Sequence, residues 1–150
     1  MATLRQLLQS TQRFKPALFI NADTVSVQSL TITRSKGVRT ILFSAQTKDT
    51  DSPSGRTAQM QFVIPKEEVE NIEDYKPSIS KDRVLVRTSS PWYRFAFQYN
   101  NQRLKAQFGK IKPFTVSGKG RPVNPKNQPG LDKHLIALLR ALKDEGLVRG

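Results

Sequence analysis

A chain of 150 residues is long enough for one domain with its own core, and 25% charged against 37% hydrophobic residues is the balance of a folded protein. The absence of cysteine excludes disulfides, thiolate catalysis, iron–sulfur clusters and cysteine-ligated zinc. A net charge of +13 points to acidic partners, whether nucleic acid or protein.

The pattern predicts a helix within 1–16: Thr3 is a suitable N-cap, Leu4, Leu7, Leu8 and Thr11 recur at helical spacing, and Pro16 stops the run. Arg5, Gln6 and Gln12 interrupt this segment, so it reads as neither a signal peptide nor a membrane span. A strand-rich core is expected over 17–99. From Ala17 the pattern is β-type, with Leu18 and Ile20, Val25 and Val27, then Leu30 and Ile32 alternating with polar residues, and a parity shift that places a bulge near Gln28 and Ser29.

Ser35-Lys36-Gly37 reads as a turn and 38–47 as the return strand, with Ile41, Phe43 and Ala45 on one face. Residues 49–56 read as a loop, and Ala58, Met60, Phe62 and Ile64 as the inner face of a strand that Pro65 ends. Pattern alone does not separate a short surface helix from an acidic loop over 66–75. Residues 84–87 form a short strand, and Tyr93, Phe95, Phe97 and Tyr99 alternate as one face of another. An extended basic arm over 100–130 follows, then an amphipathic helix over 131–147 carrying Leu131, Leu135, Leu138, Leu139 and Leu142 on one face, with Gly146 as its stop. The fold class is α+β: an antiparallel sheet with a helix at each end and a long basic loop before the last helix.

Charge is unevenly placed. From Arg83 to Lys126 there are ten basic residues and no Asp or Glu, whereas Glu67, Glu68, Glu70, Glu73 and Asp74 are crowded together. That acidic run lacks the alternating ligands and central glycine of a calcium loop and reads as a solvated face. For catalysis the chain offers little: His134 is its one histidine, placed at the border of an apolar stripe, and no nucleophile-elbow, phosphate-loop or metalloprotease spacing is present. The aromatic row beside Arg87, Arg94 and Arg103 has the composition of a base-stacking platform, but it equally fits a buried strand face. The basic arm is the stronger functional signal, because a long cationic excursion carries an ordering cost that a compact fold has no reason to incur.

Residues 84–148 carry a further pattern. Val86-Arg87-Thr88-Ser89-Ser90-Pro91 is followed by Phe108-Gly109-Lys110-Ile111-Lys112-Pro113, then Gly120-Arg121-Pro122-Val123-Asn124-Pro125, then Pro129-Gly130-Leu131-Asp132-Lys133-His134-Leu135. In order and spacing this resembles a zinc-finger-like module of tailed-bacteriophage structural proteins, similar to the SWIM pattern of Cys-x-Cys followed, after a long gap, by Cys-x-His. Thr88, Ser90 and Asp132 stand where the module has cysteines, and only His134 remains. Hydroxyls are poor zinc ligands, so no metal is expected, and hydrogen bonding among Thr88, Ser90, Asp132 and His134 is expected to join strand end to helix start in its place.

The resemblance implies a non-enzymatic component of a phage tail, baseplate or neck, located in the virion after assembly in the host cytoplasm. It would work in symmetric multiple copies against other virion proteins, without cofactor, small-molecule substrate or membrane. Arg103, Lys105, Lys110, Lys112, Lys119 and Arg121 would then pair with acidic groups of a neighbour, and Phe108, Phe114 and Pro122 would anchor in apolar pockets. The alternative is a nucleic-acid-binding protein using the same cations and some of the aromatics, with only weak nucleic-acid affinity expected under the first reading; a degenerate enzyme is a third.

Overall fold

The computed structural model describes residues 2–50, 52–65, 71–90, 93, 97, 101, 105–108 and 130–150. Four strands, β1 (Val25–Ser35), β2 (Thr40–Asp49), β3 (Ser52–Val63) and β4 (Arg83–Thr88), form an antiparallel sheet in the order β1-β2-β3-β4. Helix α1 (Leu4–Phe14), a short helix α2 (Ala17–Asn21) and helix α3 (Lys133–Asp144) accompany it, so the chain is α+β with a helix near either end, as expected.

The sheet has one buried face. Ile41 pairs with Phe62, Phe43 with Met60 and Ala45 with Ala58, and these continue into Val84, Val86 and Thr88 of β4. Because side chains alternate with period two, that register places every one of these buried residues on the same side. Phe43 and Phe62 meet edge to face at 5.9 Å. The opposite face, with Ser44, Gln46, Thr57, Gln59 and Gln61, is polar and at least partly solvated.

Helix α1 starts with reciprocal capping: the Thr3 side chain accepts from the Gln6 N–H at 3.3 Å, and Gln6 Oε1 accepts from the Thr3 N–H at 2.9 Å. Leu4, Leu7 and Thr11 turn inward. Helix α3 is capped by Asp132 and buries His134, Leu135, Ile136, Ala137, Leu138, Leu139 and Leu142. It ends at Gly146, whose φ of +67° is readily adopted by glycine, while the Leu147 N–H returns to the Leu142 carbonyl at 2.8 Å.

Several expectations are revised. Residues 17–24 are helical rather than extended: α2 and a following 3₁₀ turn over Ala22–Thr24 precede β1. Leu18 is buried whereas Ile20 is 71% exposed, a split that a helix produces and a strand, which puts both on one face, does not. The loop foreseen over 49–56 is mostly strand, since Asp49 already pairs with Ser52 and the hairpin is tight. Tyr93, Phe97 and Asn101 have helical backbone, and their spacing of four residues places them on one helical face; all three are fully buried. The bulge is where the parity shift put it, between Val27 and Ser29.

Candidate functional site

The sheet meets α3 at the end of β4. The Thr88 hydroxyl donates to Asp132 Oδ2 at 2.7 Å, Asp132 Oδ1 accepts from the Leu135 N–H at 2.9 Å, and the Ser90 N–H donates to Thr88 Oγ1 at 3.3 Å. Asp132 therefore serves as a helix cap and as a cross-link between residues 44 positions apart. Burial pushes its carboxyl up to about 6, against the opposing pull of the Leu135, Thr88 and His134 hydrogen bonds and the Lys133 charge.

His134 faces elsewhere. Its Nδ1 lies 2.8 Å from the Thr47 hydroxyl, so it joins the start of α3 to β2 rather than to Thr88. Burial, with Lys133 and Arg56 nearby, brings its imidazole down to about 4 despite the opposing charge of Asp49, and the ring is neutral at pH 7. Lys133, between the two, forms an ion pair with Asp49. Of the four residues expected in one polar cluster, Thr88, Ser90 and Asp132 are linked by hydrogen bonds, and His134 forms a second joint beside them.

A further polar hub fixes the two ends of the cationic tract. Asn101 Nδ2 donates to the Gly130 carbonyl at 2.8 Å and to the Tyr93 hydroxyl at 2.9 Å, while the Gly130 N–H donates back to Asn101 Oδ1 at 2.9 Å. The Tyr93 hydroxyl in turn donates to Gln107 Oε1 at 2.7 Å, and burial holds this phenol well above its ordinary range. On the incoming side the backbone pairs with the outer edge of β4: the Val86 N–H donates to the Ala106 carbonyl at 2.6 Å and the Phe108 N–H to the Val86 carbonyl at 2.9 Å. On the outgoing side the Leu131 N–H donates to Thr11 Oγ1 at 2.9 Å.

This moves the boundary of the arm. Asn101 and residues 105–108, expected in an extended excursion from 100 onward, belong to the fold, with Ala106 and Gln107 buried. Lys105 is exposed at a turn with φ +57°, and Phe108 is half-buried against the domain's own sheet. Arg103, Lys110, Lys112, Phe114, Lys119, Arg121 and Pro122 lie outside the described residues, as do Phe95 and Tyr99. Tyr93 and Phe97 are fully buried, so neither ring is accessible for stacking on a base. Asn101 and Gln107 were not singled out from sequence; the signal that points to the first is its position eight residues after Tyr93 and four after Phe97.

An open cleft of about 350 Å³ lies between α1, α2 and α3, with Leu8, Phe19, Ile136 and Leu139 as its apolar lining and Gln9, Gln12, Arg140 and Lys143 as its polar lining. Arg140 is engaged there by Asp23 and the Phe19 carbonyl, both at 2.7 Å. Among the described residues no group of three or more His, Cys, Asp or Glu side chains is placed to hold a metal ion, and no helix is long and apolar enough to cross a membrane. No family model, no curated protein and no solved structure matches the chain.

Proposed function

We propose that this chain is a non-catalytic structural component of a tailed-bacteriophage particle that works through protein–protein contacts, with the cationic tract after Phe108 lying on a neighbouring subunit. One observation supports the reading: Thr88 and Asp132, which stand where the zinc-finger-like module that the sequence resembles has cysteines, are in direct contact at 2.7 Å. A hydrogen bond joins strand end to helix start where the module would use metal, and the tract between them departs from a fixed point and returns to one. Residues 109–129 carry Lys110, Lys112, Lys119, Arg121 and Lys126 and no acid. Held at Phe108 and Gly130, such a tract is suited to reach an acidic neighbour without loosening the domain.

The nucleic-acid reading draws on the same cations, but the burial of Tyr93 and Phe97 removes two of its four proposed stacking rings. Mass spectrometry of purified particles tests the proposal: the chain is expected at fixed stoichiometry with the other virion proteins, and its absence from particles overturns the reading. A salt titration on DNA separates the alternative. Weak, sequence-blind affinity that disappears near physiological salt is expected of a particle component, whereas submicromolar affinity persisting there identifies a dedicated nucleic-acid binder.

A further inference from the structure

The two edges of the sheet are treated differently. The outer edge of β4 is covered: its Val84 N–H donates to the Ala2 carbonyl at 3.0 Å, Thr3 bridges to Arg83, and residues 106–108 pair with Val86. Among the described residues no backbone hydrogen bond reaches the outer edge of β1. Ser26, Gln28, Ser29, Thr31, Ile32 and Thr33 are exposed along it.

Proteins guard such an edge with lysines, prolines, bulges or very short strands, because a row of unpaired N–H and C=O groups is a template for another strand. β1 is 11 residues long and has no proline, lysine or acid. Its bulge lies at Gln28, which leaves residues 29–35 as a regular run. The one charge in that run, Arg34, is drawn beneath the sheet, where its Nη1 donates to the Ile72 and Tyr75 carbonyls at 2.8 Å each. Ile32 lies on the same side as the core, opposite Phe43, yet is 39% exposed because the sheet stops there.

The geometry points to β1 as a pairing edge for β1 of a second copy of this chain, antiparallel about a two-fold axis, giving a continuous eight-stranded sheet. Two properties select a second copy. First, the run is self-complementary: centred on Thr31, it sets Leu30 opposite Ile32 twice on the core side, and Ser29 opposite Thr33 twice on the polar side. Second, the chain carries +13, so two copies repel each other overall, whereas the exposed part of β1 is uncharged. The inference stands on the strand, not on the particle reading, and absence of the chain from virions leaves it intact.

The test is sedimentation of the full chain over a range of concentrations at physiological salt, with a monomer–dimer equilibrium expected. Thr31→Cys, the single thiol of its chain, should form a disulfide-linked dimer under mild oxidation, since residues facing each other across a two-fold strand pair have Cβ atoms about 4.5–5.5 Å apart. The exposed pair Thr31→Lys with Thr33→Lys should abolish dimer while leaving unchanged the melting temperature measured at a dilution where the parent is monomeric, and Gln12→Lys on α1 leaves the dimer intact. A chain that stays monomeric throughout, or a dimer that survives the two lysines, overturns the inference. Cross-linking at Ser44→Cys on the polar face as efficient as at Thr31→Cys does so equally.

Discussion

Replacing Asp132 with asparagine should stabilise the protein at neutral pH and leave it nearly unchanged at pH 4. The carboxyl is 1% exposed, and burial raises it from an ordinary 3.8 to about 6. An acid whose folded pKa lies above its unfolded one favours the fold below the unfolded value, and that contribution is lost as pH rises through the folded value. At about 1.4 kcal/mol per pH unit, a displacement of roughly two pH units means that holding the charge at pH 7.5 costs about 3 kcal/mol relative to the protonated form. Asparagine keeps an oxygen for the Leu135 N–H and carries no charge. Its amide can meet the Thr88 hydroxyl, which accepts as well as donates.

The assay is urea unfolding of both proteins at steps between pH 4 and pH 7.5, read as the difference between them. Taking that difference cancels the repulsion among the other charges of a +13 chain. The variant's advantage should start near zero at pH 4, grow between pH 4 and pH 6, and level off at about 2–3 kcal/mol above pH 7. A variant less stable than the parent at pH 7.5 but not at pH 4 would refute the reasoning, because it would mean that hydrogen bonds to the ionised carboxylate outweigh its burial.

His134 should show the opposite trend in an overlapping window. Its imidazole is held near 4 rather than 6.5, so its contribution is present above pH 6.5 and lost as pH falls through 4; His134→Asn should remove at most about 3 kcal/mol of acid-induced destabilisation, measured in the same titration. Thr88→Val leaves an Asp132 oxygen and the Ser90 N–H without their partner and should cost about 1–3 kcal/mol in urea unfolding at pH 7. Gly130→Ala would bring a methyl group to 2.7 Å from both Phe97 Cε1 and Thr11 Oγ1, and a loss of about 1–3 kcal/mol should appear as a lower melting temperature. Dialysis against a chelator should leave the melting temperature unchanged; a drop would reveal a bound metal.

Strands with strict alternation and no competing period were legible in the sequence. Ala58, Met60, Phe62 and Ile64 point inward as their spacing requires, and the parity break at Gln28 marks a true bulge. Where two periods coincide, the reading failed. Tyr93, Phe95, Phe97 and Tyr99 fit a strand, but Tyr93, Phe97 and Asn101 fit a helix equally well. Counting only aromatic residues hid the asparagine that completes that face. Leu18-Phe19-Ile20 failed similarly, because three consecutive apolar residues do not discriminate, and the turn opened by Pro16 decided the matter. The proximity of Thr88 to Asp132 was suggested by motif order; that His134 would choose Thr47 was not, since the partner lies 87 residues away on a strand whose depth under α3 no local pattern encodes.

The β1 edge proposed for pairing and Phe108, from which the cationic tract departs, lie at opposite edges of one sheet, and that arrangement makes the two proposals separable. Pairing through β1 would place both β4 edges outermost, and with them Phe108, where the cationic tract of each copy departs. If the tract is the contact with a neighbouring subunit, replacing Lys110, Lys112, Lys119 and Arg121 with glutamine should make particles lose the protein without loss of the dimer. The paired lysines at 31 and 33 should abolish the dimer without altering the affinity of a single copy for its neighbour. Combined, the two sets should give the sum of their separate effects, since they share no partner. Loss of the dimer on neutralising the tract alone would show that the two surfaces act as one, and the division drawn between the sheet edges would fail.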